Sequence, residues 1–237
     1  MKKILQILLL SIGLIGCSSL ELEPISSSAD ETQRILSLGL THEENLIEAG
    51  KLNSFHMISV VIGQLNKAKD EKIQAEVNLV ESAKFAEMVV VSDNYTNFTG
   101  SKVSESIKQG VLLTDVDIHE YYLSGVKGTK YGLLNHQLQL TIKHNSSDKR
   151  VYSSANLCEK WNSCDLEQRD VVLISSIASN CTTTGCDYTE VMELDLAGYF
   201  LTEKMEDGFT LRFNSKKETN KITISSAYIK GYLKIAK

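Results

Sequence analysis

The sequence predicts an α+β domain: an antiparallel, strand-rich sheet or sandwich with short N-terminal helices and two C-terminal helices. Three observations point there. Apolar and polar residues alternate at period two in several segments from about residue 54 onward, most cleanly in "LNHQLQLTIKH". Polar turn-forming clusters such as "NSSDK" and "KKETN" separate those segments. Helix-period patterns gather at the two ends of the chain, which suits helices segregated from an antiparallel sheet.

Each element has its own signal. Ser28-Ala-Asp-Glu31 has capping-box spacing ahead of Ile35, Leu36 and Leu38. Thr41-His-Glu-Glu44 repeats that spacing ahead of Leu46 and Ile47, and Gly50 is the expected stop. From residue 54 the β-branched runs "FHMISVVIG", "AEVNLVES" and "FAEMVVVS" predict strands, the last ended by "DNYTNFTGS". "VLLTDVDIHEYYL" predicts another from 111. In "LNHQLQLTIKH" Leu138, Leu140 and Ile142 face one way, with Gln137, Gln139, Thr141 and Lys143 facing the other. "RVYSSANLC" returns from that strand, and "DVVLISSIAS" with "YTEVMELDL" forms a hairpin around "CTTTGC". "LAGYFLTEKMEDG" predicts a helix with Gly208 at the C′ position. "FTLRFNS" and "KITISS" are strands about the turn "KKETN". "AYIKGYLKIAK" closes the chain as a helix with Tyr228, Ile229, Tyr232, Leu233 and Ile235 on its apolar face.

The first residues carry an address. Lys2 and Lys3 precede Ile4 to Gly16, which is apolar except for Gln6 and Ser11. That is the pattern of a secretory leader, and it is too short for a transmembrane helix, which takes about 20 apolar residues. Leu14-Ile15-Gly16-Cys17 resembles the lipobox of bacterial lipoproteins, a likeness confined to residues 1–19. The resemblance implies a diacylglycerol on the Cys17 thiol, cleavage before Cys17 and acylation of the new amine. Several acyl chains anchor a protein stably where one does so only marginally. Ser18, where an Asp would favour the inner membrane, implies the outer membrane. The organisation that follows is a signal peptide (1–16), a lipidated Cys and tether (17–28) holding the only proline, Pro24, and a single globular domain (29–237).

The leader contains two of the 25 Lys and Arg residues and none of the 30 Asp and Glu, so the mature chain has a formal net charge of −7. An acidic chain without a basic block is a poor nucleic-acid binder. It is also not drawn electrostatically to an anionic membrane, so the lipid is the expected membrane contact. Of five cysteines, four remain beyond Cys17: Cys158, Cys164, Cys181 and Cys186. An even number in an oxidising envelope predicts two disulfides. The spacings C-x5-C and C-x4-C differ from the C-x2-C of zinc and redox sites. The two local pairs are favoured, with Gly185 turning the chain; bridges between the two segments are the rival.

"DVDIHEYY" is the best candidate for reactive chemistry. In a strand Asp115, Asp117, His119 and Tyr121 share a face, and neighbours two apart lie about 7 Å apart. Two of them could reach one metal, with a third ligand from elsewhere. The plainer arrangement is a solvated face with Val116 and Ile118 packed inward. His136 and His144 stand at the ends of one strand, too far apart to act together, and read as rim histidines. His42 and His56 receive no role. The chain has no G-x-S-x-G, H-E-x-x-H, G-x-x-x-x-G-K-[ST] or dinucleotide fingerprint. The sequons at Asn94, Asn97, Asn145 and Asn180 reflect composition. Trp161, the only tryptophan, lies between Cys158 and Cys164; a rigid aromatic on a stiff loop makes a binding anchor, and folding back on the domain is its alternative. Tyr95 and Phe98 pose the same question. The expectation is a non-catalytic binding or assembly module without a cofactor, partnered by an envelope protein. The alternatives are a metal-assisted hydrolase using Asp115, Asp117 and His119, and a subunit of an export or envelope machine.

Overall fold

The computed structural model describes residues 27–92, 95–109, 115–127, 134–158 and 163–236. The leader, Cys17 and Trp161 lie outside them. The chain divides into two compact units, Met1–Glu71 and Lys72–Lys237.

In the first unit, α1 (Ser28–Leu36) and α2 (His42–Ala49) begin at capping boxes. The first box starts at Ser27 and uses Asp30, one residue before the predicted Ser28 and Glu31. The second is the predicted Thr41 and Glu44. Ile35, Ala49, Val61 and Leu65 form the core of this unit, with Leu46, Leu52, Met57 and Ile62 against it. Thr32 Oγ1 donates to Gln64 Oε1 at 2.5 Å beside that core.

α3 runs from Phe55 to Glu87. It corrects the strands predicted over "FHMISVVIG" and "AEVNLVES" and the first half of "FAEMVVVS", whose Val90 and Val91 do form a short strand. β-Branched residues do favour strands, yet here the packed positions are Val61 and Leu65, four apart on one helical face. Beyond them the segment is rich in Ala, Lys, Glu and Gln, and Gly63 is its only glycine. Those strong helix formers outweigh a handful of Val and Ile. Among the described residues no helix is long and apolar enough to cross a membrane.

The second unit contains two antiparallel sheets. The larger holds β1 (Val90–Val91), β2 (Asn97–Thr99), β3 (Val103–Gln109), β4 (Asp115–Lys127), β5 (Leu134–Ser146), β8 (Val172–Ser179) and β9 (Cys186–Leu196), in the order β1-β2-β4-β5-β9-β8. β2 and β3 share one edge of β4. The smaller runs β11 (Thr219–Ile224), β10 (Phe209–Asn214), β6 (Ser154–Cys158), β7 (Cys164–Asp170). The two sheets meet in one core: Leu138, Leu140 and Ile142 of β5 and Met192 of β9 join Leu211 and Phe213 of β10 and Ile222 of β11. The α+β, strand-rich architecture is as predicted. β5 pairs with β4 at Leu123↔Leu138 and with β9 at Leu140↔Met192, so its apolar stripe continues across the sheet.

α4 (Gly198–Lys204) ends at the C-cap Met205, so Gly208 is not its C′ residue as predicted; it lies two residues beyond that position, at φ +71°, in the left-handed region that favours glycine. α5 (Ser226–Ile235) buries Tyr228, Ile229 and Tyr232. Tyr228 Oη accepts from the Leu123 amide at 3.0 Å and donates to the Ser101 carbonyl at 2.7 Å. At Gly231 a Cβ would stand 2.6 Å from Phe85 Cβ and Ser82 O, so only glycine lets α5 approach the end of α3 this closely. Both disulfides are local, Cys158–Cys164 across β6 and β7 and Cys181–Cys186 at the tip of the β8–β9 hairpin. The rival cross-segment pairing is thereby set aside.

Candidate functional site

β4 turns its polar residues inward. Asp117, His119 and Tyr121 are buried to 3% exposure or less. This corrects the solvated face considered for "DVDIHEYY": Ile118, expected to pack inward, is only half-buried. The shared face of Asp117, His119 and Tyr121 is as predicted. Its burial follows from what covers it.

Arg150 supplies the charge. Its Nη1 and Nη2 donate to Asp117 Oδ2 and Oδ1, the second at 3.2 Å, and its Nη2 lies 3.0 Å from Glu218 Oε2. Burial works against the guanidinium's charge; the hydrogen bonds with Asp117 and Tyr152 outweigh it and raise the pKa above its ordinary value. Asn220 of β11 donates through Nδ2 to Asp117 Oδ2 at 2.9 Å and lies 3.1 Å from His119 Nε2. Tyr152 Oη donates to Asn220 Oδ1. The amide can only donate to His119, so Nε2 is the acceptor and the ring proton sits on Nδ1. Burial lowers the His119 pKa, with Asp117 opposing and Arg150 reinforcing, which suits this neutral tautomer.

A second cluster adjoins the first through Arg150. Glu190 of β9 is fully buried. Its carboxylate accepts from His144 Nε2 at 3.1 Å, from the amides of Arg150 at 3.2 Å and Val151 at 3.1 Å, and from Ser176 Oγ at 3.4 Å. Burial pushes this carboxyl up, and the bonds from His144 and the two amides together pull it below its ordinary value. Val151 sits at φ +54°, a conformation β-branched residues avoid. Its amide is held by Glu190, so the carboxylate keeps the turn that places Arg150. His144 completes its ring bonds with Ser146 Oγ at 3.1 Å and stacks on Tyr188. His136, at the other end of β5, is satisfied by Tyr232 Oη at 3.0 Å; burial lowers its pKa.

This geometry joins the sheets. Asp117 and Glu190 lie on the larger sheet, Asn220 on the smaller, and Arg150 and Tyr152 in the connection between β5 and β6. Both Asp117 oxygens face a guanidinium, so a metal ion there would have to displace a buried cation. The side chain of Asp115 lies outside the described residues. Among the described residues no three His, Cys, Asp or Glu side chains gather as a metal site.

Arg150, Tyr152, Glu190 and Asn220 were not singled out from the sequence. Three of the network's polar residues carry a readable signal. Glu190 lies in step with Met192 and Leu194, Asn220 with Ile222 and Ile224, and Asp117 with Tyr121 and Leu123. A polar residue on an apolar stripe must find a partner inside. The chain matches no known protein family, no curated protein and no solved structure.

Proposed function

We propose that the chain is a bacterial envelope lipoprotein, anchored in the outer membrane through Cys17, whose folded part is a non-catalytic binding or assembly module for another envelope protein. The observation that carries the non-catalytic part is the engagement of its acid and base groups. Asp117, His119, His144 and Glu190 are buried, and each bonds another protein group. A general acid or base must reach a substrate proton directly or through one water. Asp117 and His119 instead join the two sheets through Asn220, and His144 and Glu190 hold the turn at Arg150 and Val151.

The lipobox-like leader supports the address, and two disulfides suit an oxidising compartment. The Cys158–Cys164 bridge covalently closes the segment that contains Trp161, and a closed segment has less conformational entropy to lose on binding than an open one. In-cell crosslinking from the 158–164 loop, followed by mass spectrometry, tests the binding module. One recurrent envelope protein is the expected capture, reduced by Trp161→Ala with the unfolding midpoint unchanged. No capture, or a Trp161→Ala protein that simply unfolds, would count against it. The anchor is tested separately by the mass of the N-terminal peptide, expected to begin with acylated Cys17.

A further inference from the structure

We propose that His119 is the proton sensor of an acid-operated latch: a proton on its ring trades the Asn220 bond for one to Asp117 and frees the Asn220 end of β11 from the larger sheet. What carries this is which atoms can donate. The Asp117 carboxylate only accepts, so the Asn220 group 2.9 Å from its Oδ2 is the NH2, and that same group lies 3.1 Å from His119 Nε2. The other side of the amide is fixed as well, because Asn220 Oδ1 accepts from Tyr152 Oη. Asn220 therefore cannot turn over without setting its oxygen against the carboxylate. A proton on Nε2 meets this fixed donor with a second donor, and a hydrogen bond to the neutral form of a base disfavours the charged form.

The other buried histidines lack this conflict. His136 Nδ1 meets Tyr232 Oη at 3.0 Å, a hydroxyl that accepts as readily as it donates. His144 lies between the Glu190 carboxylate and Ser146 Oγ, each at 3.1 Å and each able to accept. His119 alone of the three is set against a donor that cannot reverse. Its Nδ1 is buried without a partner among the described residues, which leaves the Asn220 contact as the ring's hydrogen bond there.

The alternative partner is close. Asp117 Oδ2 lies 4.0 Å from His119 Nε2, and a protonated ring that closes this gap takes the place Asn220 holds on that oxygen. The charges around the ring come from several elements. Its own strand supplies Asp117 and Tyr121, whose phenol burial pushes above its ordinary value. β3 supplies Glu105, the register partner of His119 and so on the same face. β5 and β11 supply the uncharged Ile142 and Asn220. Arg150 opposes a second cation, but its fork is already held by Asp117 and its Nη2 by Glu218. With Asn220 in place burial lowers the His119 pKa, so the released form, in which the ring meets Asp117, takes the proton first. β11 pairs with β10 alone among the described residues, and Ile222 and Ile224 stay in the shared core. Release is therefore confined to residues 215–221, the turn and the start of β11.

The test is backbone hydrogen exchange of the full chain from pH 7 to pH 5, with protection corrected for the intrinsic rate at each pH. Residues 215–221 should lose protection by up to about tenfold per pH unit below about 6.5, reversibly, while residues 138–142 of β5 keep theirs. His119→Gln, whose side-chain carbonyl can accept from Asn220, should remove the pH dependence, and His136→Gln should leave it. Nitrogen NMR of the His119 ring in the unsubstituted chain reads the same event without a variant: the neutral Nδ1–H tautomer at pH 7 should give way to imidazolium over the range in which protection falls. Protection at 215–221 that ignores pH, an equal loss in β5, a His119→Gln chain that keeps the pH dependence, or a ring still neutral where protection has fallen would each overturn the latch. Neither Cys17 nor Trp161 enters this test, so its failure and that of the binding module are separate.

Discussion

The two units solve the same problem differently. The first has a core of four buried apolar side chains, Ile35, Ala49, Val61 and Leu65, and its polar bonds are those of the exposed helix caps and the uncharged Thr32–Gln64 pair beside the core. The second has a core drawn from both sheets and α5, and keeps charged groups inside it. A small core stabilises little, so the first unit leans on local terms such as caps and helix propensity. The second can carry the desolvation of Asp117, Arg150 and Glu190 because the surrounding burial is large. Buried ion pairs are weak stabilisers, but breaking one leaves an uncompensated charge. The comparison therefore predicts different responses to deletion in each unit.

The largest effect belongs to the network. Arg150→Ala leaves Asp117 buried without its cation and also removes the partner of Glu218; it should destabilise the second unit by about 3–5 kcal/mol in denaturant unfolding. Acid should find the same weakness. His119 and His136 have folded pKa values below their ordinary 6.5, so the unfolded chain binds protons first as pH falls. Their contribution is complete above about pH 6.5 and declines as pH falls toward the folded values. Glu190 is lowered from 4.5, so its contribution is present above that value and is lost as pH falls through its folded pKa. Unfolding midpoints should therefore fall in two stages, one below about pH 6.5 and one below about pH 4.5, and His119→Gln should flatten the first. A midpoint flat from pH 7 to 5.5 would break this account.

In the first unit Leu65→Ala removes a fully buried side chain from a core that has few others, at about 2–4 kcal/mol. Backbone hydrogen exchange over residues 28–65 should rise sharply. Unchanged exchange there would mean that this unit is not held by that core. A smaller effect is expected of the disulfides. On the loop-entropy account, bridges separated by six and five residues contribute about 2 kcal/mol each. Replacing both members of either pair by Ser should lower stability by that amount without unfolding the domain.

The same contrast explains what was legible in the sequence. β5, β9, β10 and β11 read correctly because one face is buried and the other is wet, which imposes a period of two. α3 did not, because Ile58, Val60, Val61 and Ile62 imitate a strand when composition is weighed ahead of the four-residue spacing of Val61 and Leu65. The local disulfides were legible from spacing and a turn glycine. The site was half legible. Alternation brought Asp117, His119 and Tyr121 to one face, yet which face was buried depended on Arg150 and Asn220, 33 and 103 residues away from Asp117. Periodicity within a strand carries no information about such distant partners.

The smallest effect sharpens the comparison most. Thr41 accepts from the Glu44 amide at 3.3 Å while Glu44 Oε2 accepts from the Thr41 amide at 2.8 Å. The Thr41 amide, and the Thr41 hydroxyl donating to the same oxygen at 2.9 Å, hold the Glu44 pKa below its ordinary value. Thr41→Ala removes one arm of the box and should destabilise α2 by about 1 kcal/mol. In a unit with a large core that loss would be hard to see locally. Here it should raise hydrogen exchange through His42–Ala49 and loosen the contacts of Ala49 and Leu46 with the small core. If Thr41→Ala and Leu65→Ala together cost less than the sum of the two, cap and core are energetically coupled; if the costs add, each supports the first unit independently.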